Sequence, residues 1–394
     1  MKPTTTLSHP SNDRLLSLDQ FRGYTVAGMF LVNFLGGFNV TPAVLKHHHS
    51  YCSYADTIMP QFLFAVGFAF RLTLERRIQR EGKYAAYKRV IQRLAGLALL
   101  SVVIYAPSGI AGSWVELVEL GPAAVLARVM KREWFQTLMH IAATSLWILP
   151  VIRLSIGSRI VFLLFSAGIH IWLSWKFNFA WCNTSPNAID GGPFGFLTWS
   201  IPAIAGTIAC DLMTSVNRAR SLVVTGLGLM LMGWALSCGT RFYDVVPSGD
   251  GPGIHEKIAE DPVVPGPGRT WHGFCELPFI EPPGFEDRQW NYWMMSQRAG
   301  TLTYLLFGAG FSLVVFAVFH QACDVYRLEF MPFRVLGSNA LAGYVLHLML
   351  MNAMDPFIPR DSPFWYVALA LGLFFAIMWI FIGYLDRNRI HIRL

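Results

Sequence analysis

Charge is scarce in this sequence. Of 394 residues only 14% are Asp, Glu, Lys or Arg, roughly half the share of an ordinary soluble domain, which argues against a chain that presents a solvated globular surface. Cysteine is scarce as well: there are six, and none has the paired spacing of a metal module. Internal repeats and low-complexity tracts are lacking, which leaves no solenoid or repeat array to consider. The first apolar run begins only near Gly23, behind a polar tail, and no small-residue cleavage site follows it. No removed leader is expected, and the first helix should stay in the protein.

What is abundant is apolar: 54% of residues are hydrophobic, with 30 Phe and 13 Trp. Aromatic rings suit both the hydrocarbon and the headgroup boundary. The net charge of +7 does not point to nucleic acid, because its cations sit in short loops between apolar runs, where they set orientation. Partners are therefore lipid rather than nucleic acid. Crossing about 30 Å of hydrocarbon takes about 20 mostly apolar residues. Ten segments come close, at about 22–40, 55–74, 91–108, 134–152, 158–175, 193–213, 221–238, 300–320, 334–353 and 364–385. The fold class expected is all-α, a polytopic membrane bundle of about ten helices spanning 22–385 between tails at 1–21 and 386–394. The semi-polar stretch 107–133 has room for an interfacial helix.

Numbering the sides alternately puts 20 of the 31 Lys and Arg on the side of both termini, among them Lys2, Arg14, the cluster from Arg71 to Arg93, and Arg393. Both termini are expected in the cytoplasm, since short cationic loops stay inside. The stretches 41–54, 107–133, 176–192, 239–299 and 354–363 then lie outside. The longest, between the seventh and eighth spans, is rich in Pro and Gly (Pro247, Pro252, Pro262, Pro265, Pro267, Pro282, Pro283). It reads as an extended loop that folds back over the outer face. Four cysteines, Cys52, Cys182, Cys238 and Cys275, fall at or beyond that face, where either disulfides or packed free thiols fit. Cys210 and Cys323 should remain reduced.

Polar side chains inside spans cost free energy and usually face an interior cavity. Here Asn33, Asp56, Gln61, Gln136, His140, His170 and His347 all map to the middle or outer half of their spans, and His47, His48 and His49 stand just before Asp56. Together they describe a polar pocket open to the outside. Each also has a structural explanation: a single His or Asn bonds between helices, three loop histidines form a solvated tract, and Asp56 caps its helix. At the cytoplasmic end, Asp19 and Arg22 share one helix face. There Arg22 and Arg93, with Asn339 at the start of the ninth span, meet either lipid phosphate or an anionic cofactor.

Specific stretches carry a family resemblance. Arg14-Leu15-Leu16-Ser17-Leu18-Asp19-Gln20-Phe21-Arg22-Gly23, then Leu31-Val32-Asn33-Phe34-Leu35-Gly36-Gly37, resembles the opening of the heparan-alpha-glucosaminide N-acetyltransferase family and its bacterial relatives. Lys46-His47, Ala55-Asp56 and Pro60-Gln61-Phe62-Leu63-Phe64-Ala65-Val66-Gly67 are similar to its Lys-His loop, its Asp and its second helix. Leu197-Thr198-Trp199-Ser200-Ile201-Pro202-Ala203-Ile204 and Gly337-Ser338-Asn339-Ala340-Leu341-Ala342-Gly343-Tyr344-Val345 are similar to later family segments. The loop departs from the pattern at Ser50-Tyr51-Cys52-Ser53, with one residue fewer before Asp56.

The resemblance implies a multi-pass enzyme, in a bacterial inner membrane, that moves an acetyl group from cytoplasmic acetyl-CoA to an amino sugar or other glycan group outside. It places the catalytic His on His47 and its partner on Asn33, while the missing residue leaves His48 and His49 open as the catalytic position; the residues read above as a polar pocket, His48, His49, Gln61, His140 and His347, would then face the substrate. His47 would act as general base or as acetyl carrier, Asn33 as donor to an oxyanion, and Asp56 as the group that fixes the imidazole tautomer. Arg22, Arg93 and Asn339 would attract the coenzyme phosphates. A homodimer is compatible with the sequence, though no motif asks for one. The alternatives are a multi-pass transporter of a sugar or small anion, which calls for an internal repeat that the sequence lacks, and an inactive scaffold.

Overall fold

The computed structural model describes residues 15–107, 109–214, 217–244, 257–271, 273, 275–282 and 288–392. Lys2, Arg14 and Arg393 on the cationic side, Pro247, Pro252 and Pro283 in the long loop, and most of the expected 1–21 tail lie outside the described residues. Among the described residues helix is the regular structure, beside one isolated bridge between Ile258 and Trp290. In chain order the helices are α1 (Leu16–Leu35), α2 (Tyr54–Glu81), α3 (Lys83–Ile104), α4 (Trp114–Val129), α5 (Thr137–Ile148), α6 (Ile156–Leu173), α7 (Phe179–Asn183), α8 (Phe196–Leu212), α9 (Arg218–Ser237), α10 (Leu302–Phe319), α11 (Met331–Ser338), α12 (Ala340–Met354) and α13 (Phe364–Arg387).

Helices occupy all ten of the expected segments, but length and apolarity single out six: α2, α6 extended through α7, α8, α9, α10 and α13. A seventh joins them if α11 and α12 count as one span, although the chain bends there by 89°. The remaining three have physical reasons to fall short. α1 carries Asp19, Gln20, Arg22 and Asn33, and α3 carries Lys83, Lys88, Arg89 and Arg93. The 12 residues of α5 rise only about 18 Å. In the 107–133 stretch, α4 leaves Trp114, Val115, Val118 and Leu126 exposed, as a helix lying on an apolar boundary would.

Burial sorts the spans into two shells. The apolar windows of α2, α8 and α10 are 61%, 72% and 67% buried, whereas those of α6, α9 and α13 are 22%, 28% and 22% buried. The first set is the bundle centre, and the second turns its side chains outward to lipid. Phe21 of α1, Phe64 and Phe68 of α2, Trp199 of α8 and Phe316 of α10 interlock in one core, while Phe30, Phe34 and Phe374 anchor a second around α1, α12 and α13. Lipid offers no hydrophobic force to press helices together, so close backbone approach must do it. At the α2–α8 crossing a Cβ on Gly67 would stand 1.9 Å from the Ala203 carbonyl oxygen, and one on Gly206 would stand 2.0 Å from that of Phe64.

The described part of 257–299 packs onto the helices. Phe279 donates its N–H to the Cys52 carbonyl (3.0 Å), and Tyr292 joins His170 Nδ1 (2.8 Å). Four charges hold it: Arg241 to Asp244 (2.6 Å) and Glu276 (3.3 Å), and Arg288 to Asp244 (3.3 Å) and Glu276. This packed segment and the α2–α8 crossing both bear on the stretch before α2. Gly67→Val should therefore cost about 1–3 kcal/mol by overpacking and lower the melting temperature of the purified protein in detergent. Gly168→Ala, where a Cβ meets nothing within 4 Å, should leave it unchanged; equal effects would contradict this packing.

Candidate active site

The site grows from the chain between α1 and α2. α1 ends when Gly36 donates to Val32 (2.9 Å), and a short turn at Ala43–Leu45 delivers Lys46-His47-His48-His49. α2 then begins with a capping box: Ser53 Oγ accepts from Asp56 N (3.3 Å), and Asp56 Oδ2 accepts from Ser53 N (3.0 Å). The second carboxylate oxygen does a different job. His47 Nδ1 lies 2.9 Å from Asp56 Oδ1, while the His48 N–H reaches Oδ2 at 3.3 Å. Asp56 is thus both the helix cap and the histidine's partner, 1% exposed. Behind it, the Tyr304 hydroxyl donates to its carbonyl oxygen (2.7 Å).

A cavity of about 420 Å³ opens beside this pair, lined by Val32, Asn33, Gly36, Lys46, His47, His48, Leu348 and Met351. The loop and the C-terminal turns of α1 and α12 supply all of these. Asn33 Nδ2 stands 3.1 Å from His347 Nε2. Because His347 Nδ1 faces the Tyr344 carbonyl, which only accepts, its proton sits there and Nε2 accepts from Asn33. A second cavity of about 160 Å³ also touches Asn33 and Met351, and reaches the Asp355–Arg360 ion pair (2.7 Å).

Opposing effects act on the His47 ring. Enclosure of the ring pulls its pKa down, but the Asp56 hydrogen bond and charge, with help from the Asp190 charge, pull it up more strongly, to above 6.5. His49 moves the other way, down to about 4, first by desolvation and then through the Arg298 guanidinium. His48 is tied down: its Nε2 donates to the Ala43 carbonyl (2.8 Å), and its ring stacks on Tyr51 at 4.3 Å. Among the three loop histidines, His47 alone combines a carboxylate on its ring with a place on the cavity wall.

The other expected site residues divide. Asn33, His47, His48, Asp56 and His347 come together. Gln61 is fully buried with its Nε2 on Thr57 Oγ1 (3.2 Å), and His140 is buried between the rings of Phe135 and Trp199. His170, on Tyr292, braces the long loop rather than the pocket. His49, Gln61 and His140 line neither cavity, and neither do Arg22, Arg93 or Asn339. Asn339 sits at the α11–α12 bend, 2% exposed, with its Oδ1 accepting from Ile392 N (3.2 Å).

Sequence reasoning passed over one residue of the cavity wall and one buried carboxyl whose charge acts on His47. Lys46 shares the cavity wall, and its position next to His47 was the available signal. Asp190 is 3% exposed and accepts from Gln297 Nε2 (2.9 Å). Burial pushes its carboxyl up to about 6, against the Gln297 hydrogen bond and the charge of His47. In sequence Asp190-Gly191-Gly192 looks like an ordinary turn, so only its burial reveals it.

Carbethoxylation by diethyl pyrocarbonate, which attacks neutral imidazole, reads the His47 charge by peptide mass spectrometry. Its midpoint should lie above pH 6.5 in the wild type. In Asp56→Asn, where enclosure remains and the carboxylate is gone, the midpoint should fall below pH 6.5. An unchanged midpoint would show that Asp56 does not govern this ring.

No curated protein matches the chain. The family described as heparan-alpha-glucosaminide N-acetyltransferase, catalytic, matches residues 14–222, a stretch that takes in Asn33, the histidine loop and Asp56. With more than half of its 394 residues matched in this way, the chain belongs to the heparan-alpha-glucosaminide N-acetyltransferase family.

Proposed function

We propose that this protein is a ten-span membrane acetyltransferase of a bacterial inner membrane. It takes the acetyl group of cytoplasmic acetyl-CoA and passes it to an amino or hydroxyl group of a glycan outside. Both termini face the cytoplasm, and the 239–299 segment caps the outer side. One observation carries the reading: His47 and Asn33, from different elements, line the same cavity, with Asp56 on His47 Nδ1.

The chemistry follows from that geometry. With Nδ1–H committed to Asp56, the Nε2 lone pair of neutral His47 is the basic edge, and among the described residues it has no hydrogen-bond partner. It takes the proton of the attacking amine or hydroxyl as the acetyl C–O or C–N bond forms and the thiolate of coenzyme A departs. Asp56 stabilises the imidazolium that results, which matches its upward pull on the His47 pKa. Asn33 spends one N–H on His347; its second N–H serves the oxyanion. His347 is then a positioning residue that holds the amide plane. Arg22 and Arg93, on the cytoplasmic side of the bundle, attract the coenzyme phosphates, which carry too much charge to enter hydrocarbon, whereas Asn339, 2% exposed and bonded to Ile392 N, shapes the α11–α12 bend.

Transfer of radiolabelled acetyl from acetyl-CoA to a panel of glycans, with purified protein in lipid, tests this. His47→Ala should lose about 10²- to 10⁴-fold in rate and Asn33→Ala about 10²- to 10³-fold. His48→Ala should stay within a few-fold of wild type, its ring being bound to Ala43. Undiminished transfer by His47→Ala, or no transfer by the wild type to any acceptor, would contradict the proposal.

A further inference from the structure

α9 ends in a turn, Cys238–Phe242, that the long loop crosses. Three contacts fix the crossing. Trp234 Nε1 donates to the Glu276 carbonyl, Arg241 Nη2 lies 3.3 Å from Glu276 Oε1, and a Cβ on Gly273 would stand 3.4 Å from Arg241 Nη1. Gly273, Cys275 and Glu276 therefore lie along residues 234–241. These contacts bring Cys275 beside Cys238, and both stand as free thiols in this structure. Cys238 is 6% exposed, and Cys275 is exposed. The other four cysteines are apportioned elsewhere: Cys52 lies beneath Phe279, Cys182 bonds toward Asn178 and Gly191, and Cys210 and Cys323 belong to the opposite ends of their spans.

We infer that Cys238 and Cys275 form a disulfide in the mature protein, a covalent staple between the end of α9 and the loop that braces the histidine segment. The inference rests on the outward orientation proposed above, because only that compartment keeps such a bond. The oxidant is a protein disulfide acting by thiol–disulfide exchange. Both S–H bonds break and one S–S bond forms, and the two electrons and two protons reduce the oxidant to its dithiol. What the staple secures follows from the same segment. Phe279 and Arg288, just beyond Cys275, bond the carbonyls of Cys52 (3.0 Å) and Ser50 (3.4 Å), in the stretch between His47 and Asp56. Fixing residue 275 fixes the lid over the loop that carries the imidazole.

The test is thiol mapping on the full chain in its own membranes, quenched with N-ethylmaleimide before solubilisation. Digestion with trypsin without reductant should yield peptides 221–241 and 270–288 joined, with Cys275 unlabelled. In Cys238→Ser, Cys275 should become labelled, which shows that its protection came from that partner and not from burial. Two results would overturn the inference, and they differ in cause. If Cys275 is labelled in the wild type yet the peptides join on adding copper phenanthroline, the thiols are neighbours on a reducing side, and the orientation fails. If they do not join even then, the contact itself is absent and the orientation is untouched.

Discussion

Both oxygens of one carboxylate are spent, on different structures. Asp56 Oδ2 closes the first turn of α2 through Ser53, and Oδ1 receives His47 Nδ1 at 2.9 Å. A carboxylate at a helix start accepts from otherwise unpaired N–H groups, and Asp56, 1% exposed, does so while its other oxygen meets the imidazole. The position of the helix, the charge of the catalytic candidate and the shape of the loop are thereby one constraint, and a Glu, one methylene longer, would not satisfy both partners from the same place.

The bundle exists to hold that constraint in lipid. α2 carries Asp56 in its first turn and, eleven residues on, presses Gly67 against the Ala203 backbone of α8. That first turn is further pinned by Tyr304 of α10. α1 comes to the same point from the other side, packing Phe21 into one core and Phe30 into the other while Asn33 faces the cavity. The polar groups that lipid penalises are therefore gathered where helices from both cores meet. His347 lets Asn33 be there at little cost, since a buried amide that keeps a partner loses little of its solvation.

Much of this was legible in the sequence because it is local. A helix start with Ser53 and Asp56 three apart announces a cap, and a histidine segment just before it places an imidazole near that carboxylate. The choice among His47, His48 and His49 was not legible. It turns on which way each ring swings, and that depends on the Ala43 carbonyl and the Tyr51 ring. His140 and His170 looked like pocket residues by depth, but distant elements claim them: Trp199 on α8 and Tyr292 in the long loop. The ninth segment reads as a continuous apolar run and yet bends by 89°. Gly337-Ser338-Asn339 carried the signal, since Ser and Asn compete for backbone groups that a helix needs, and Gly337 meets the Asp19 carbonyl of α1 so closely that a Cβ would stand 2.1 Å from it.

In the proposed reaction a thioester entering from the cytoplasmic side must reach the His47 imidazole. A cryo-electron microscopy structure with a non-reactive thioether analogue of acetyl-CoA examines this directly. The acyl end of the analogue should lie between His47 Nε2 and the Asn33 amide, with the nucleotide end toward Arg22 and Arg93. An analogue lodged wholly on the outer side, or one whose acyl end lies outside the cavity that these two residues share, would contradict it.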